Sequence, residues 1–274
     1  MFGLGAPRPS VQDDRSPPRA PDGAVVWAVG DVHGQDDLFA CLSELIQADL
    51  RAAGAGRGTA VLLGDYIDRG VGARAVIERI LEMWRGLERQ GAALVALRGN
   101  HEEMLLRFLD SPALGPAWMD LGGRETLLGY GVEPPPPTAE PTAWARTAAA
   151  LAEALPPAHR AFIEALPLHH VEGDYLFVHA GLRPGVALAD QKPDDLMWIR
   201  DAFLQDPRPT ERLVVHGHTP EPEVWLDRRR LGLDTGAYAT GLLSAVRLKA
   251  DRILLFQARR HPDGVRVETR PLTV

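Results

Sequence analysis

Apolar and polar positions alternate in blocks along the first hundred residues. The apolar run VVWAVG (25–30) predicts a buried strand, and the apolar residues that follow between 38 and 50 recur at helical spacing. The same order returns with TAVLLG (59–64) and a helical pattern between 76 and 87, and ALVAL (93–97) predicts a third strand. Strands that alternate with helices predict a layered α/β domain with its active groups in loops at the carboxyl ends of the strands.

The pattern changes between residues 104 and 167. Alanine-rich helical stretches are interrupted there by two glycines (122–123) and by four prolines (134–137), with no strand pattern among them. This pattern predicts a helical insertion or cap with a rigid exposed turn at the prolines. Later strands are predicted at 175–179, 213–216, 242–248, 252–258 and 265–270, and the closeness of the last three predicts antiparallel pairing.

The two ends of the chain differ in composition. Residues 1–23 contain five prolines and few large apolar groups, which predicts a disordered tail in front of one domain over residues 24–274. The formal charge of −7 argues against a protein that wraps nucleic acid. A single cysteine and the lack of an apolar run of about 18 residues lead us to expect a soluble cytoplasmic protein with no membrane partner. The oligomeric state is not predicted by these features.

Five short polar clusters carry the candidate chemistry. They are GDVHG (30–34), GDYIDRG (64–70), GNHE (99–102), HAG (179–181) and HGHT (216–219), each at the end of a predicted strand. One such cluster alone is more often a capped loop than a ligand set. Five together are hard to explain by packing, because buried polar groups need partners. Oxygen and nitrogen ligands without thiolates indicate a site for Mn, Fe, Zn or Mg.

The order of these five motifs resembles the phosphoprotein phosphatase branch, serine/threonine phosphatase-like and of bacterial type, of the calcineurin-like metallophosphoesterases. The resemblance implies a two-sheet β-sandwich flanked by helices, in α/β/β/α layers. It also implies two divalent metal ions, with Mn ahead of Fe, Zn or Mg. By motif position, Asp31 and His33 would bind the first metal, Asp65 would bridge, and the second metal would be bound by Asn100, His179 and His218.

The resemblance assigns further roles. His101 is similar to the family's general acid, which protonates the leaving oxygen, and Asp68 to the carboxylate that orients it. Arg69 and Arg200, together with Asn100, would contact the substrate phosphate. The nucleophile would be a metal-bridging hydroxide that attacks phosphorus in line. Two further stretches, LGGRETL (121–127) and LDTG (233–236), recur in related proteins but receive no chemical role, and the second is interpreted as a turn held by its aspartate.

Three functional hypotheses remain open. The first is a phosphomonoesterase, namely a protein serine/threonine phosphatase that acts on a phosphorylated protein or a small phosphoester. The alternative is a symmetrical dinucleoside polyphosphate (diadenosine tetraphosphate) hydrolase, a group that commonly lacks the aspartate present here as Asp68. The third is a non-catalytic scaffold, which the retention of a full ligand set argues against.

Overall fold

The computed structural model describes residues 16–273, and the strands within that range form two sheets. They are β1 (Val25–Val29), β2 (Gly58–Leu62), β3 (Ala93–Ala96), β4 (His169–Glu172), β5 (Tyr175–Val178), β6 (Leu213–His216), β7 (Trp225–Leu226), β8 (Arg230–Gly232), β9 (Leu242–Lys249), β10 (Arg252–His261) and β11 (Gly264–Leu272). The first sheet has the order β11-β10-β9-β1-β2-β3 and the second the order β4-β5-β6-β8-β7.

Helices fill the connections between these strands. They are α1 (Asp36–Ala53), α2 (Ala73–Arg89), α3 (Asn100–Asp110), α4 (Gly115–Asp120), α5 (Gly123–Gly129), α6 (Pro141–Ala154), α7 (Pro157–Ala165), α8 (Pro193–Trp198), α9 (Asp201–Leu204) and α10 (Ala237–Thr240), with short 3-10 turns at Pro112–Leu114 and Leu188–Asp190. No helix in the described range is both long enough and apolar enough to cross a bilayer.

Each sheet combines parallel and antiparallel strands. In the first sheet β1, β2 and β3 are parallel, while β9, β10 and β11 pair antiparallel, as the sequence predicts. In the second sheet β5, β6 and β8 are parallel. The carboxyl ends of β1, β2 and β3 therefore lie at one edge of the first sheet, and those of β5 and β6 at one edge of the second.

Three apolar clusters separate the layers. One lies between the first sheet and helices α1, α2 and the insertion, with Trp27 and Phe39 fully buried in it. A second lies between the two sheets, where Val61 of β2 and Phe177 of β5 are fully buried. The third packs α8 and α9 against the outer face of the second sheet. The α/β/β/α sandwich predicted from the motifs is thus confirmed.

The region between residues 104 and 167 is helical, with α4, α5, α6 and α7 inside it. Two of its helices begin at proline, Pro141 for α6 and Pro157 for α7, positions where the missing N–H costs nothing. Sequence patterns did not predict β4, β7 and β8. These strands are two to four residues long, and β4 alternates between exposed and half-buried positions, so they carry no apolar run.

The predicted disordered tail needs a correction at its carboxyl end. Residues 1–15 lie outside the described residues, but the backbone N–H of Ala20 donates to Ala250 O over 2.9 Å, and that of Arg19 donates to Asp174 Oδ2 over 2.9 Å. Ala20 is 2% exposed and belongs to the core between the sheets. The chain therefore joins the fold before residue 24, because a small side chain fills the end of this core.

Candidate metal centre

Five loops bring the motif residues to one place. β1 leads to Asp31 and His33, β2 leads to Asp65 and Asp68, and α3 begins at Asn100 directly after the third motif's glycine. β5 ends before His179 and β6 ends two residues before His218. Because the parallel strands present their carboxyl ends at the facing edges of the two sheets, residues far apart in sequence meet there.

The backbone of these loops is strained. Within the described residues, six non-glycine residues have a positive φ, and five of them belong to the motifs: His33, Asp65, Asp68, Arg69 and His218. Each such conformation costs about 1–3 kcal/mol, and conformations of this kind cluster at functional sites. The packing of the sandwich therefore stabilises backbone conformations that these residues rarely adopt in an unfolded chain.

Glu102 anchors one of these loops. Its side chain is fully buried, and Oε2 accepts the N–H groups of Asp65 (2.9 Å) and Gly99 (3.0 Å) while Oε1 accepts that of Tyr66 (2.8 Å). This glutamate stands in the GNHE motif, yet sequence reasoning assigned it no role. It ties the loop after β2 to the start of α3.

Asp65 lies at the centre of the site. Its Oδ2 is 3.6 Å from His33 Nε2 and 3.7 Å from His101 Nε2, and its Oδ1 is 3.4 Å from His179 Nε2. Burial raises the pKa of this carboxyl, but the four surrounding histidines, His179 first, together lower it more, so the net pKa lies below the usual value. The ligand atoms of His33, Asp65 and His101 lie within 4.8 Å of one another, as do those of Asp65, His179 and His218. Asp65 is common to both groups.

Backbone carbonyls determine which ring nitrogen of two histidines faces the site. His33 Nδ1 lies 2.9 Å from Ile67 O, and His179 Nδ1 lies 2.8 Å from Leu63 O. Burial lowers the pKa of both imidazoles, that of His33 to about 3. A neutral ring that donates from Nδ1 has a lone pair at Nε2. Both lone pairs therefore point towards the oxygens of Asp65.

The side-chain oxygen of Asn100 lies close to two of the imidazoles. Asn100 Oδ1 lies 2.9 Å from His179 Nε2 and 2.9 Å from His218 Nδ1. His218 Nε2 is buried without a hydrogen-bond partner among the described residues, and burial, followed by the influence of His179, lowers the pKa of this ring to about 2. A divalent cation can satisfy the lone pairs that remain in this buried site.

Asp31 completes this side of the site. Its Oδ2 accepts the backbone N–H of His218 at 2.9 Å, while its Oδ1 is buried with no hydrogen-bond partner in the described range. Burial, then Asp234 and Asp65, raise the pKa of Asp31 well above its usual value. Asp234 is also buried and accepts the Gly236 N–H at 2.8 Å, which is the turn that the sequence predicts. The residues of this side fit a divalent metal ion.

His101 differs from the other imidazoles of the site because an aspartate holds one of its ring nitrogens. Its Nδ1 lies 2.7 Å from Asp68 Oδ2, and Asp68 is fully buried. Burial lowers the pKa of His101, but Asp65 and the hydrogen bond to Asp68 raise it, with a net increase. The imidazole thus keeps its proton at higher pH than the other rings of the site, as a proton donor must.

The two arginines differ in how closely they join the site. The Arg69 guanidinium carbon lies 4.5 Å from the ring centroid of Tyr238, whose ring also meets His33 edge-on at 5.2 Å. Arg200 is exposed at the start of α9, and its charge is among the causes that lower the pKa of His179 and His218. No motif in the sequence indicates Tyr238, which depends on the placement of α10.

Two side chains of the insertion also reach the site. Thr126 Oγ1 donates to Asp68 Oδ1 over 2.6 Å, and Trp118 Nε1 donates to Asp68 Oδ2 over 2.9 Å. Sequence reasoning noted the stretch around Thr126 without a role and did not notice Trp118. Both residues lie far from Asp68 along the chain, and the contacts form only because α4 and α5 pack against the loop after β2. A sequence pattern therefore does not predict them.

A two-sheet sandwich with buried Asp, Asn and His side chains converging at its strand ends defines a metal-dependent phosphoesterase. A family model agrees with this class. The chain belongs to the calcineurin-like phosphoesterases, whose model matches residues 24–254.

Two relatives and one solved structure share between 15% and 31% sequence identity with this chain. The chain is 31% identical over 160 residues to a symmetrical bis(5'-nucleosyl)-tetraphosphatase of Aromatoleum aromaticum, a match that covers 58% of this chain and 45% of that relative's length. It is 26% identical over 249 residues to an asymmetrical bis(5'-nucleosyl)-tetraphosphatase of a Geobacillus species, which covers 80% of this chain and 88% of the relative. A solved cold-active protein-tyrosine phosphatase of a Shewanella species shares the fold, with a TM-score of 0.53, 15% identity and coverage of 91% and 80% of the two chains.

Proposed function

We propose that the protein is a dinuclear metal-dependent phosphoesterase. The observation that carries this proposal is the convergence of buried acceptors on Asp65, whose two oxygens face His33 on one side and His179 on the other. Asp31 and His33 would hold one ion, Asn100, His179 and His218 the other, and Asp65 would bridge them. When bound, two divalent ions neutralise phosphate oxygens and lower the pKa of a water nucleophile. Mn is the first metal to test.

The side chains around the ions supply the remaining chemistry. His101, held at Nδ1 by Asp68, presents Nε2 to the site and protonates the departing oxygen. Arg69 and Arg200 bind the non-bridging phosphate oxygens. Asn100 orients the phosphate in addition to its proposed role as a metal ligand. The stacking of Arg69 on Tyr238 keeps the guanidinium in place without using its N–H donors.

For the substrate we propose a dinucleoside polyphosphate first. Both tetraphosphatase relatives support it, and the asymmetrical one aligns over 80% of this chain. The test is Mn-supplemented hydrolysis of diadenosine tetraphosphate with separation of the nucleotides. ADP alone indicates cleavage at the centre, and ATP with AMP indicates cleavage nearer one end. No turnover with Mn, Fe, Zn or Mg would exclude this substrate.

A second candidate is a phosphomonoester, including the phosphoserine or phosphothreonine of a protein. The Asp68–His101 pair favours it, because a serine alkoxide is a poor leaving group that needs a proton, whereas the nucleotide that leaves a polyphosphate departs with less help. A phosphoserine peptide and p-nitrophenyl phosphate belong in the same assay. A kcat/KM for the peptide above that for the tetraphosphate would place this candidate first.

A further inference from the structure

Three residues of the helical insertion contact the proposed catalytic loop. Trp118 belongs to α4, Thr126 to α5, and Gly122 lies in the turn between these helices. We propose that Trp118, Gly122 and Thr126 are positioning residues that hold Asp68 against His101 and fix the backbone of Arg69. This inference rests on the proposed function, since it assigns the insertion a part in that reaction.

The carboxylate of Asp68 is held at both oxygens. Oδ1 accepts the Thr126 hydroxyl at 2.6 Å, and Oδ2 lies 2.7 Å from His101 Nδ1 and accepts the Trp118 indole N–H at 2.9 Å. An indole N–H can only donate, so it stabilises the ionised carboxylate. Rotation of the carboxylate about its bond to the chain would break these contacts together. Asp68 therefore has one orientation, in which a charged oxygen faces the imidazole.

Thr126 also holds the Asp68 backbone. Its Oγ1 accepts the Asp68 N–H at 2.8 Å while it donates to the carboxylate of the same residue. Asp68, Thr126 and Trp118 are all fully buried, so water cannot replace a lost hydrogen bond at these positions. A methyl group in place of the hydroxyl would leave both an N–H and a carboxylate oxygen of Asp68 with one partner fewer.

Gly122 holds the backbone of Arg69 by a hydrogen bond, as Thr126 holds that of Asp68. Its carbonyl accepts the Arg69 N–H at 2.9 Å, and the neighbouring Leu121 O lies 3.5 Å from Arg69 Nε. Asp68 and Arg69 have φ values of 66° and 64°, two successive left-handed residues that need outside support. Gly122 itself has φ +101°, and a Cβ there would lie 2.7 Å from Arg69 Cγ. Only glycine allows this approach.

The insertion reaches the site through packed side chains. The Trp118 ring lies 4.9 Å from that of Phe108 in α3, the helix that begins with Asn100 and His101. The indole thus contacts both the helix that carries the acid and the carboxylate that orients it. The first part of the insertion, α4, α5 and the turn between them, thus positions the carboxylate that orients the acid.

The test removes the hydrogen bonds of one positioning residue at a time. Thr126→Val keeps the size of the side chain and Trp118→Phe keeps a smaller aromatic ring. Each deletes a donor to a different oxygen of Asp68, and Thr126→Ser retains the hydroxyl. Thr147→Val and Trp144→Phe are matched controls in α6, since Thr147 Oγ1 donates to a helix carbonyl over 3.1 Å and Trp144 Nε1 is buried without a hydrogen-bond partner among the described residues. Both controls lie in the same insertion but outside the contacts with Asp68.

Kinetics on substituted phenyl phosphates of rising phenol pKa separate positioning from general damage. We expect Thr126→Val and Trp118→Phe to lower kcat by about tenfold or more on the poorest leaving group and by much less on p-nitrophenyl phosphate, with KM and bound metal unchanged. Thr126→Ser should recover most of the loss. Equal losses along the whole series, or losses matched by the control variants, would overturn the inference.

A second readout does not depend on turnover. The His101 Nδ1 proton, identified by its absence in His101→Ala, should give a downfield NMR signal that moves in Thr126→Val and Trp118→Phe and stays in place in both controls. If the wild-type protein hydrolyses none of the substrates, the proposed function fails while this signal still decides the positioning of Asp68. An unmoved signal in both variants contradicts the proposal.

Discussion

The two sides of the site differ in what satisfies their polar atoms. On one side, the carboxylate oxygens of Asp68 and the Nδ1 of His101 have protein partners at 2.6–2.9 Å. On the other side, Asp31 Oδ1 and His218 Nε2 are buried without hydrogen-bond partners in the described range. We call these the acid side and the ligand side.

The difference indicates what each side needs in order to work. The acid side is complete from protein groups alone, so its geometry does not depend on a bound ion. The ligand side collects buried acceptors whose mutual repulsion a bound cation would relieve. Variants on the two sides should therefore separate metal uptake from proton transfer. Three predictions test that separation, and a fourth concerns the neighbouring His216.

The largest effect is expected at Asp65, which the two sides share. Asp65→Asn removes the negative charge between the histidines, so we expect kcat to fall by about a thousandfold or more and bound metal to be lost, measured by kinetics and elemental analysis. Asp49→Asn is the control, because Asp49 is a partly buried carboxylate that instead pairs with Arg247 at 2.6 Å. Full activity with a complete metal content in Asp65→Asn would refute the bridging role.

The next effect separates the sides. His101→Ala should lower kcat by about a hundredfold on alkyl phosphoesters and less on p-nitrophenyl phosphate, since p-nitrophenol leaves without a proton. Metal content should stay at the wild-type level. His159→Ala is the control, because His159 is a buried imidazole of α7 bonded to Tyr130. Equal loss on both substrates would remove His101 from the acid role.

Much of the ligand side was predictable from the sequence, and the reason is geometric. Asp31, Asp65 and Asn100 follow three strands that run parallel, and parallel strands end at one edge of their sheet. Short motifs at strand ends therefore carry three-dimensional information. The same rule places His179 and His218 at the ends of two parallel strands of the second sheet.

The support of the acid side could not be predicted in this way. Trp118 and Thr126 lie 50 and 58 residues from Asp68 along the chain, in short helices that no strand orients. Their contacts depend on how α4 and α5 pack, which local patterns do not encode. Ala20 illustrates the same limit, because a proline-rich composition predicts disorder while one buried methyl group and backbone hydrogen bonds attach the segment.

A third prediction concerns metal binding itself. Mn²⁺ at about 100 times its Kd should stabilise the wild-type protein by about 2.7 kcal/mol. For a chain of this size this corresponds to a rise in Tm of about 5–10 °C by calorimetry. His218→Ala should lose much of the rise. His101→Ala should keep it, although His101 Nε2 lies 3.7 Å from Asp65 Oδ2; loss of the rise in this variant would make His101 a metal ligand.

The smallest effect is the pH dependence of the metal-free protein. Burial, followed by Arg230, holds the pKa of His216 at about 3, against 6.5 for an exposed histidine. As the pH falls below about 6.5, His216 becomes protonated in the unfolded chain but stays neutral in the folded protein. The contribution of His216 to the free energy of unfolding is therefore lost as the pH falls towards 3, and it is fully present well above pH 6.5. His101 acts with the opposite sign, because its raised pKa contributes stability that is lost as pH rises through the folded value. Urea unfolding of wild type and His216→Asn between pH 6.5 and 5.5 should differ in slope by about 1 kcal/mol per pH unit, because the unfolded histidine is only partly protonated over this range. Equal slopes would show that His216 has the same pKa in the folded and the unfolded protein.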